Sequence, residues 1–367
     1  MSQRNIDFAK LKFQYELYKT DIDARINKVL NSASFIMGPE IQELEVELQR
    51  FTGAKHAITC SSGTDALLLA LMALDIQPGD EVITSPFTFI ATAETIALLG
   101  AKPVFVDIEP DTYNLDAKMI EGVITNRTKA IMPVNLYGQP ADLGEIDRIA
   151  KKHRLKVIID GAQSFGSRYR GTTDSNLGDI STTSFFPAKP LGCYGDGGAA
   201  FTNDDALAEK MRSLRVHGQL SRYHHKYVGI GGRMDTIQAA VLLAKLPHYS
   251  SELVARSEVA KFYFDNLPAE LSRPAIRNGR ESTWAQFTVR VGDRANFQSA
   301  LKQQGIPTVV HYPKPLHLQE CFNYLNYQEG VFPVSERAAG EVISFPMNAF
   351  LTRDELEYIS ARVHRAL

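Results

Sequence analysis

The run Ser184-Phe185-Phe186-Pro187-Ala188-Lys189-Pro190-Leu191-Gly192-Cys193-Tyr194-Gly195-Asp196-Gly197-Gly198 sets one lysine between an aromatic, strand-like stretch and a turn containing four glycines. An amine held at such an irregular point, with its charge destabilised by its surroundings, becomes a nucleophile toward an aldehyde. A glycine-rich turn with one exposed lysine has the same composition, so residues elsewhere must decide. Asp160 closes the apolar run Lys156-Val157-Ile158-Ile159-Asp160 and is followed by Gly161-Ala162-Gln163-Ser164. In open α/β sheets, ligands bind beyond the carboxyl ends of strands, and a carboxylate with little polar company there requires a cation. An Asp capping a helix would read the same way. Ser61-Ser62-Gly63-Thr64-Asp65-Ala66 joins a strand to a helix. Converging N–H groups at a helix start suit a phosphate, and plain Ser or Thr capping suits them equally. No Gly-Lys-Ser/Thr and no GxGxxG accompanies it, which argues against nucleotide hydrolysis and dinucleotide binding. Phe87 and Phe89 follow another strand and offer a flat aromatic face or ordinary core packing.

Taken in chain order, a phosphate cradle, an aromatic plate, an acid at a strand end and a later lysine match the needs of pyridoxal 5'-phosphate. The acid keeps the pyridine nitrogen protonated so that the ring withdraws electrons, and the lysine holds the aldehyde covalently.

The elements that must position these groups alternate. A helix is predicted over residues 6–31 and another over 41–52, started by Gly38-Pro39-Glu40. Strands at 56–59, 81–84, 103–106, 130–134 and 156–160 are separated by helices at 66–74, 92–99 and 143–153, the pattern of a buried parallel or mixed sheet. Beyond residue 245 the pattern changes to helices at 234–246 and 251–266, a strand at 284–291, a helix at 294–304, an extended 307–312 and a last helix at 353–366. The expected division is a large α/β domain over residues 1–247 and a smaller α+β domain over 248–367.

Bulk properties narrow the function class. Lys and Arg total 40 against 42 Asp and Glu, a net charge of −2, which disfavours a general nucleic-acid or membrane-surface binder. Three scattered cysteines, Cys60, Cys193 and Cys321, give neither a disulfide framework nor a zinc pattern, and the adjacent His224 and His225 lack the ligand spacing of a metal site. No apolar run is long enough to cross a bilayer. A cytoplasmic protein with no metal is expected.

Over essentially its whole length the chain resembles the DegT-type nucleotide-sugar aminotransferases, pyridoxal-phosphate enzymes of fold type I. The matching segments are Gly38-Pro39-Glu40, Ser62 to Leu67, Phe87 to Thr92, Asp160 to Ser164, Ser184 to Gly192 and Gly195 to Gly198. The resemblance implies that Lys189 binds the cofactor covalently and then shuttles a proton, while Asp160 pairs with the pyridine nitrogen. It further implies that Gln163 hydrogen-bonds the ring hydroxyl, Phe89 stacks on the ring, and Gly63, Thr64 and Ser184 hold the phosphate. Relatives that dehydrate sugars carry histidine in place of Lys189, so transamination is implied here. The segments around Arg215, His217, Arg222, Tyr223, His311 and Tyr312 are most similar to one branch. Its members aminate UDP-2-acetamido-2-deoxy-ribo-hexuluronate at C3 with L-glutamate, yielding 2-oxoglutarate and sugars for surface polysaccharide such as O-antigen. Those six residues are the implied substrate contacts, and Arg215, His217, Arg222, His224, His225 and Lys226 form the densest local positive cluster. A solvated loop of mixed charge would look alike. Other nucleotide-linked keto sugars, such as 3- or 4-keto-6-deoxyhexoses, and a non-catalytic regulator of the same fold are the alternatives. A homodimer with shared active sites is also implied, although Gly231 stands where many relatives use an asparagine on the neighbour's phosphate.

Overall fold

A computed structural model describes residues 6–367. Short, continuous apolar runs become strands buried on both faces: β1 (His56–Cys60), β2 (Glu81–Thr84), β3 (Lys102–Phe105), β4 (Thr128–Ile131) and β5 (Lys156–Asp160). A small ribbon of β6 (Arg168–Tyr169) and β7 (Thr172–Thr173) follows, then β8 (Ile180–Ser184) and β9 (Gly198–Thr202). Seven of these strands form one mixed sheet in the order β1-β9-β8-β5-β4-β2-β3. β9 runs antiparallel to β1 and β8, and the remaining pairs are parallel. The fold is therefore the α/β architecture with a central mixed sheet that fold type I requires.

Helices cover both faces of the sheet. α1 (Leu11–Ser32) and α2 (Pro39–Thr52) precede it, with Pro39 at the first position of α2. α3 (Gly63–Ala73) and α4 (Ala91–Leu98) pack on one face, where Leu67, Leu71 and Ile96 meet Ile58, Val82 and Ile158. α5 (Leu143–His153) buries Ile146 and Ile149 against Ile131, Val157 and Ile159 on the other face. α6 (Asp205–Leu214) leads to an exposed hairpin, β10 (Gln219–Ser221) with β11 (His224–His225).

Two predicted helices, at 234–246 and 251–266, are a single helix, α7 (Thr236–Asn266), with Pro247 inside it. An interior proline costs about 3 kcal/mol locally. Burial of Ala239, Leu242, Leu243, Leu246 and Tyr249 against α2 and the sheet offsets that cost. The rest of the chain adds β12 (Arg280–Glu281), which pairs with β6, and an antiparallel pair, β13 (Phe287–Arg290) and β14 (Val342–Phe345). α8 (Arg294–Gln303), α9 (Pro333–Glu341) and α10 (Arg353–Ala366) complete it. Tyr263 of α7, Phe287, Phe297, Phe345 and Ile359 share a second apolar core.

Candidate active site

The carboxyl end of β5 delivers Asp160 into the protein interior, 3% exposed. One carboxylate oxygen accepts the Thr92 hydroxyl at 2.8 Å and the other the Ala162 N–H at 3.1 Å. Thr92 lies in the first turn of α4 and also contacts Thr88 at 3.1 Å. Among the described residues, no lysine, arginine or histidine forms an ion pair with Asp160. Burial pushes its carboxyl above the usual range, and the hydroxyl, the N–H and the charge of Lys189 pull the other way. A carboxylate built into a dry site without its cation is incomplete, and a protonated ring nitrogen would complete it.

Three residues on, Gln163 is locked from both ends of its amide. Its carbonyl accepts the Tyr137 N–H at 2.8 Å and its NH2 donates to the Tyr312 hydroxyl at 3.1 Å. Tyr312 in turn sits 6.1 Å from Phe89, ring centroid to centroid. Phe89 is half exposed while its neighbour Phe87 is buried in the core, so Phe89 is the aromatic left with a free face. His311 donates or accepts at 3.0 Å with the Ser344 hydroxyl. Burial, and next the charge of Lys189, lower its pKa to about 4, so the ring is neutral at physiological pH.

Lys189 is half-buried in the turn that follows β8, its N–H donating to the Phe186 carbonyl at 2.8 Å. Burial lowers the pKa of its amine, against an opposing pull from Asp160. The neutral, nucleophilic form of an amine is favoured by that environment.

The third part of the site is where α3 begins. Ser62 caps the helix by accepting the Asp65 N–H at 3.0 Å, so the capping reading is correct as far as it goes. The first N–H groups beyond the cap, on Gly63 and Thr64, have no intrahelical partner and carry the positive end of the helix dipole. Gly63 lies directly against the end of β8, because a Cβ there would come within 2.6 Å of the Ser184 Cβ. At Gly198 a Cβ would come within 2.4 Å of the Ser62 carbonyl oxygen. Glycine, serine and threonine thus form a cradle of small residues at the sheet edge that also presents Asp160, and its donor set fits a phosphate. Gly63→Ala is expected to cost about 1–3 kcal/mol by overpacking and to weaken cofactor binding. Thermal melts with and without pyridoxal phosphate check this, and an unchanged melting temperature would contradict it.

The structure brings Lys189, Asp160, Gln163, Phe89, His311 and Tyr312 into one region, beside Gly63, Thr64 and Ser184. It does not bring Arg215 there. Arg215 is 4% exposed and pairs with Glu45. It also donates at 2.7 Å to the Thr59 carbonyl under β1. The expectation that it grips substrate is corrected: a buried arginine with its own carboxylate is a structural ion pair. Arg215→Met should leave Glu45 buried and unpaired, lowering stability by about 3–5 kcal/mol. The sugar KM of the surviving folded enzyme should stay near wild type; a large KM rise with normal stability would restore the substrate role. Arg222 and Tyr223 occupy the tip of the β10–β11 hairpin, where Tyr223 is 80% exposed, and His217 is exposed at its base. Among the described residues, no hydrogen bond or ion pair joins any of these three to Lys189.

Thr92 and Tyr137 belong to the site and were not singled out from the sequence. Thr92 was within reach, since a buried aspartate needs donors and helix starts beside it supply them. Tyr137, with a left-handed φ of 58°, leaves no local signal. Among the described residues, no cluster of His, Cys, Asp and Glu is arranged to hold a metal ion. No helix there is long and apolar enough to cross a membrane.

The model of the DegT/DnrJ/EryC1/StrS aminotransferase family matches residues 17–364. The UDP-2-acetamido-2-deoxy-3-oxo-D-glucuronate aminotransferase of Pseudomonas aeruginosa is 50% identical over 357 residues, covering 97% of this chain and 99% of the relative. The pleiotropic regulatory protein of Geobacillus stearothermophilus is 45% identical over 363 residues, covering 98% of each chain. Among solved structures, Bacillus subtilis NtdA with bound cofactor PMP, the aminated form of pyridoxal phosphate, superposes with a TM-score of 0.92 at 30% identity. That match covers all of this chain and 86% of the other.

Proposed function

The chain belongs to the DegT/DnrJ/EryC1/StrS aminotransferase family, and from that premise we propose that it moves an amino group from L-glutamate to the 3-keto carbon of a UDP-linked uronic sugar. The observation that carries the catalytic part is a buried Asp160 with no cationic partner of its own, within electrostatic reach of the amine of Lys189. When bound, pyridoxal phosphate supplies an aldehyde that takes up the amino group and a protonated ring that withdraws electrons. Asp160 would keep the proton on the ring nitrogen, with the Thr92 hydroxyl and Ala162 N–H orienting its carboxylate. Gln163, fixed by Tyr137 and Tyr312, would hydrogen-bond the ring hydroxyl, and Phe89 would cover one ring face. Gly63, Thr64 and Ser184 would hold the phosphate. Lys189 Nζ would anchor the aldehyde and then carry a proton between the amino-bearing carbon of the donor and the former aldehyde carbon, a task suited to an amine whose charged form is disfavoured.

His217, Arg222, Tyr223, His311 and Tyr312 are the proposed sugar contacts. The hairpin residues would reach the site of a second subunit, since Arg222 and Tyr223 stand exposed at its tip with no hydrogen bond or ion pair to the residues around Lys189. The exposed apolar side chains of Phe35, Ile36 and Met37, before α2, support such a homodimer. In this reading the two working units are residues 1–247 and 248–367, joined within α7. The protein works in the cytoplasm toward surface polysaccharide, such as O-antigen.

Purified holoenzyme with glutamate should aminate the UDP-linked 3-keto uronate far faster than dTDP- or UDP-linked 4-keto-6-deoxyhexoses, as read by formation of the amino sugar. Preference for a 4-keto sugar would overturn the substrate assignment. The regulatory name of one close relative supports a second, non-catalytic reading, which absence of turnover with every sugar would favour.

A further inference from the structure

A second lysine near the site takes no part in the proposed reaction. Lys245, on α7, is 1% exposed, and its ammonium donates to the Gly192 carbonyl, three residues after Lys189. It also stands 5.3 Å from the centre of the Tyr194 ring. Among the described residues, no carboxylate forms an ion pair with it. Burial lowers its pKa to about 8, with Glu252 the main opposing charge. A buried amine is costly, and an apolar side chain of equal length would fill the same space without that cost.

What it holds is the turn carrying Lys189. Gly192 folds back so closely that a Cβ would come within 2.5 Å of the Pro187 carbonyl oxygen. The Cys193 N–H donates to the Phe185 carbonyl at 2.8 Å, and the Phe185 N–H to the Gly197 carbonyl at 2.7 Å, which closes the loop on the sheet. Its outer part rests on α7. Gln238, two helical turns before Lys245, accepts the Tyr194 N–H at 2.8 Å. Further along α7, Tyr249 donates at 2.6 Å to the Phe165 carbonyl, two residues past Gln163. Arg256 donates at 3.1 and 3.2 Å to the carbonyls of Trp284 and Met347, which belong to the C-terminal part. One helix thus fixes the backbone of four separate segments, those of Gly192 to Tyr194, Phe165, Trp284 and Met347.

We propose that Lys245 is a positioning residue for Lys189: by tying the Gly192 carbonyl to α7 it sets the backbone from which the Lys189 amine reaches toward Asp160. This rests on the assignment of Lys189 as the lysine that binds the cofactor. Small errors of placement are expensive, since a shift of about 1 Å can cost on the order of a hundredfold in rate.

The test compares holoenzymes carrying Lys245→Met, which keeps length without a donor, and Lys245→Arg, which keeps a cationic donor. Lys245→Met should lower kcat about 10- to 100-fold while the KM for sugar stays within about threefold. The pH midpoint of the bound cofactor's visible absorbance should move by about half a pH unit or more, and Lys245→Arg should recover part of both changes. A folded Lys245→Met enzyme with wild-type kcat and midpoint would overturn the proposal. So would a loss of rate with an unmoved midpoint and no recovery by arginine, which is the behaviour of a purely structural residue. If Lys245→Met does not fold, Gln238→Met loosens the same loop from its more exposed side. It should move the midpoint in the direction in which Lys245→Arg leaves a residual change, and no movement in either would overturn the proposal. Borohydride trapping on the unsubstituted enzyme separates the two ideas. An adduct at Lys189 with an indifferent Lys245 removes only the positioning role, whereas no adduct at Lys189 removes the underlying assignment.

Discussion

Lys189→Ala should retain pyridoxal phosphate without a covalent bond and lose turnover by at least about 10⁴-fold. Two functions disappear together. The amine anchors the aldehyde, and it also carries the proton between carbons, a role worth on the order of 10² to 10⁴ in rate by itself. The cofactor should still bind, because the contacts proposed for its phosphate, ring face and ring nitrogen come from Gly63, Thr64, Ser184, Phe89 and Asp160. Single-turnover kinetics and dialysis of the reconstituted variant check both halves. Residual transamination within about a hundredfold of wild type would contradict the role given to this lysine.

Asp160→Asn should cut kcat by about 10² to 10³, the cost typical of removing one preorganised electrostatic group. The substitution is nearly isosteric. The Ala162 N–H can still meet its carbonyl oxygen, and the Thr92 hydroxyl can turn to accept from its NH2 while donating to Thr88, so the fold should survive and melting temperature should change little. What is lost is the negative charge in a site where burial gives it unusual leverage. The bound cofactor's absorbance should shift in the same experiment, because the ring nitrogen no longer keeps its proton. Near-normal turnover with an unchanged spectrum would remove Asp160 from this role.

Much of the site was legible because its residues sit in short motifs next to strongly patterned strands. Lys156-Val157-Ile158-Ile159 can only be a buried strand, and that places Asp160 at its carboxyl end. The lysine turn could be read from its glycines, and Gly192 does make the close approach that glycine alone permits. The sheet itself was only partly readable. β8 (Ile-Ser-Thr-Thr-Ser) and β9 (Gly-Ala-Ala-Phe-Thr) lack the apolar run that marks a central strand, although every residue of both is buried. β14 and α9 were likewise passed over, and the break expected near Pro247 is absent because tertiary burial overrides local propensity. Arg215 shows the limit of reading charge along the chain. It is close in sequence to His217 and Arg222, yet it follows α6 and turns inward to Glu45, a partner 170 positions away. Lys245 gives the complementary case: inside an apolar helix it looks like a surface lysine, and only its burial reveals a task.

The most direct test of the account is where the cofactor is attached. Holoenzyme reduced with borohydride, digested and analysed by mass spectrometry should carry the pyridoxyl group on the peptide containing Lys189, and Asp160→Asn should leave that site unchanged. A pyridoxyl group on any other side chain, or none on a protein shown to hold the cofactor, would contradict it.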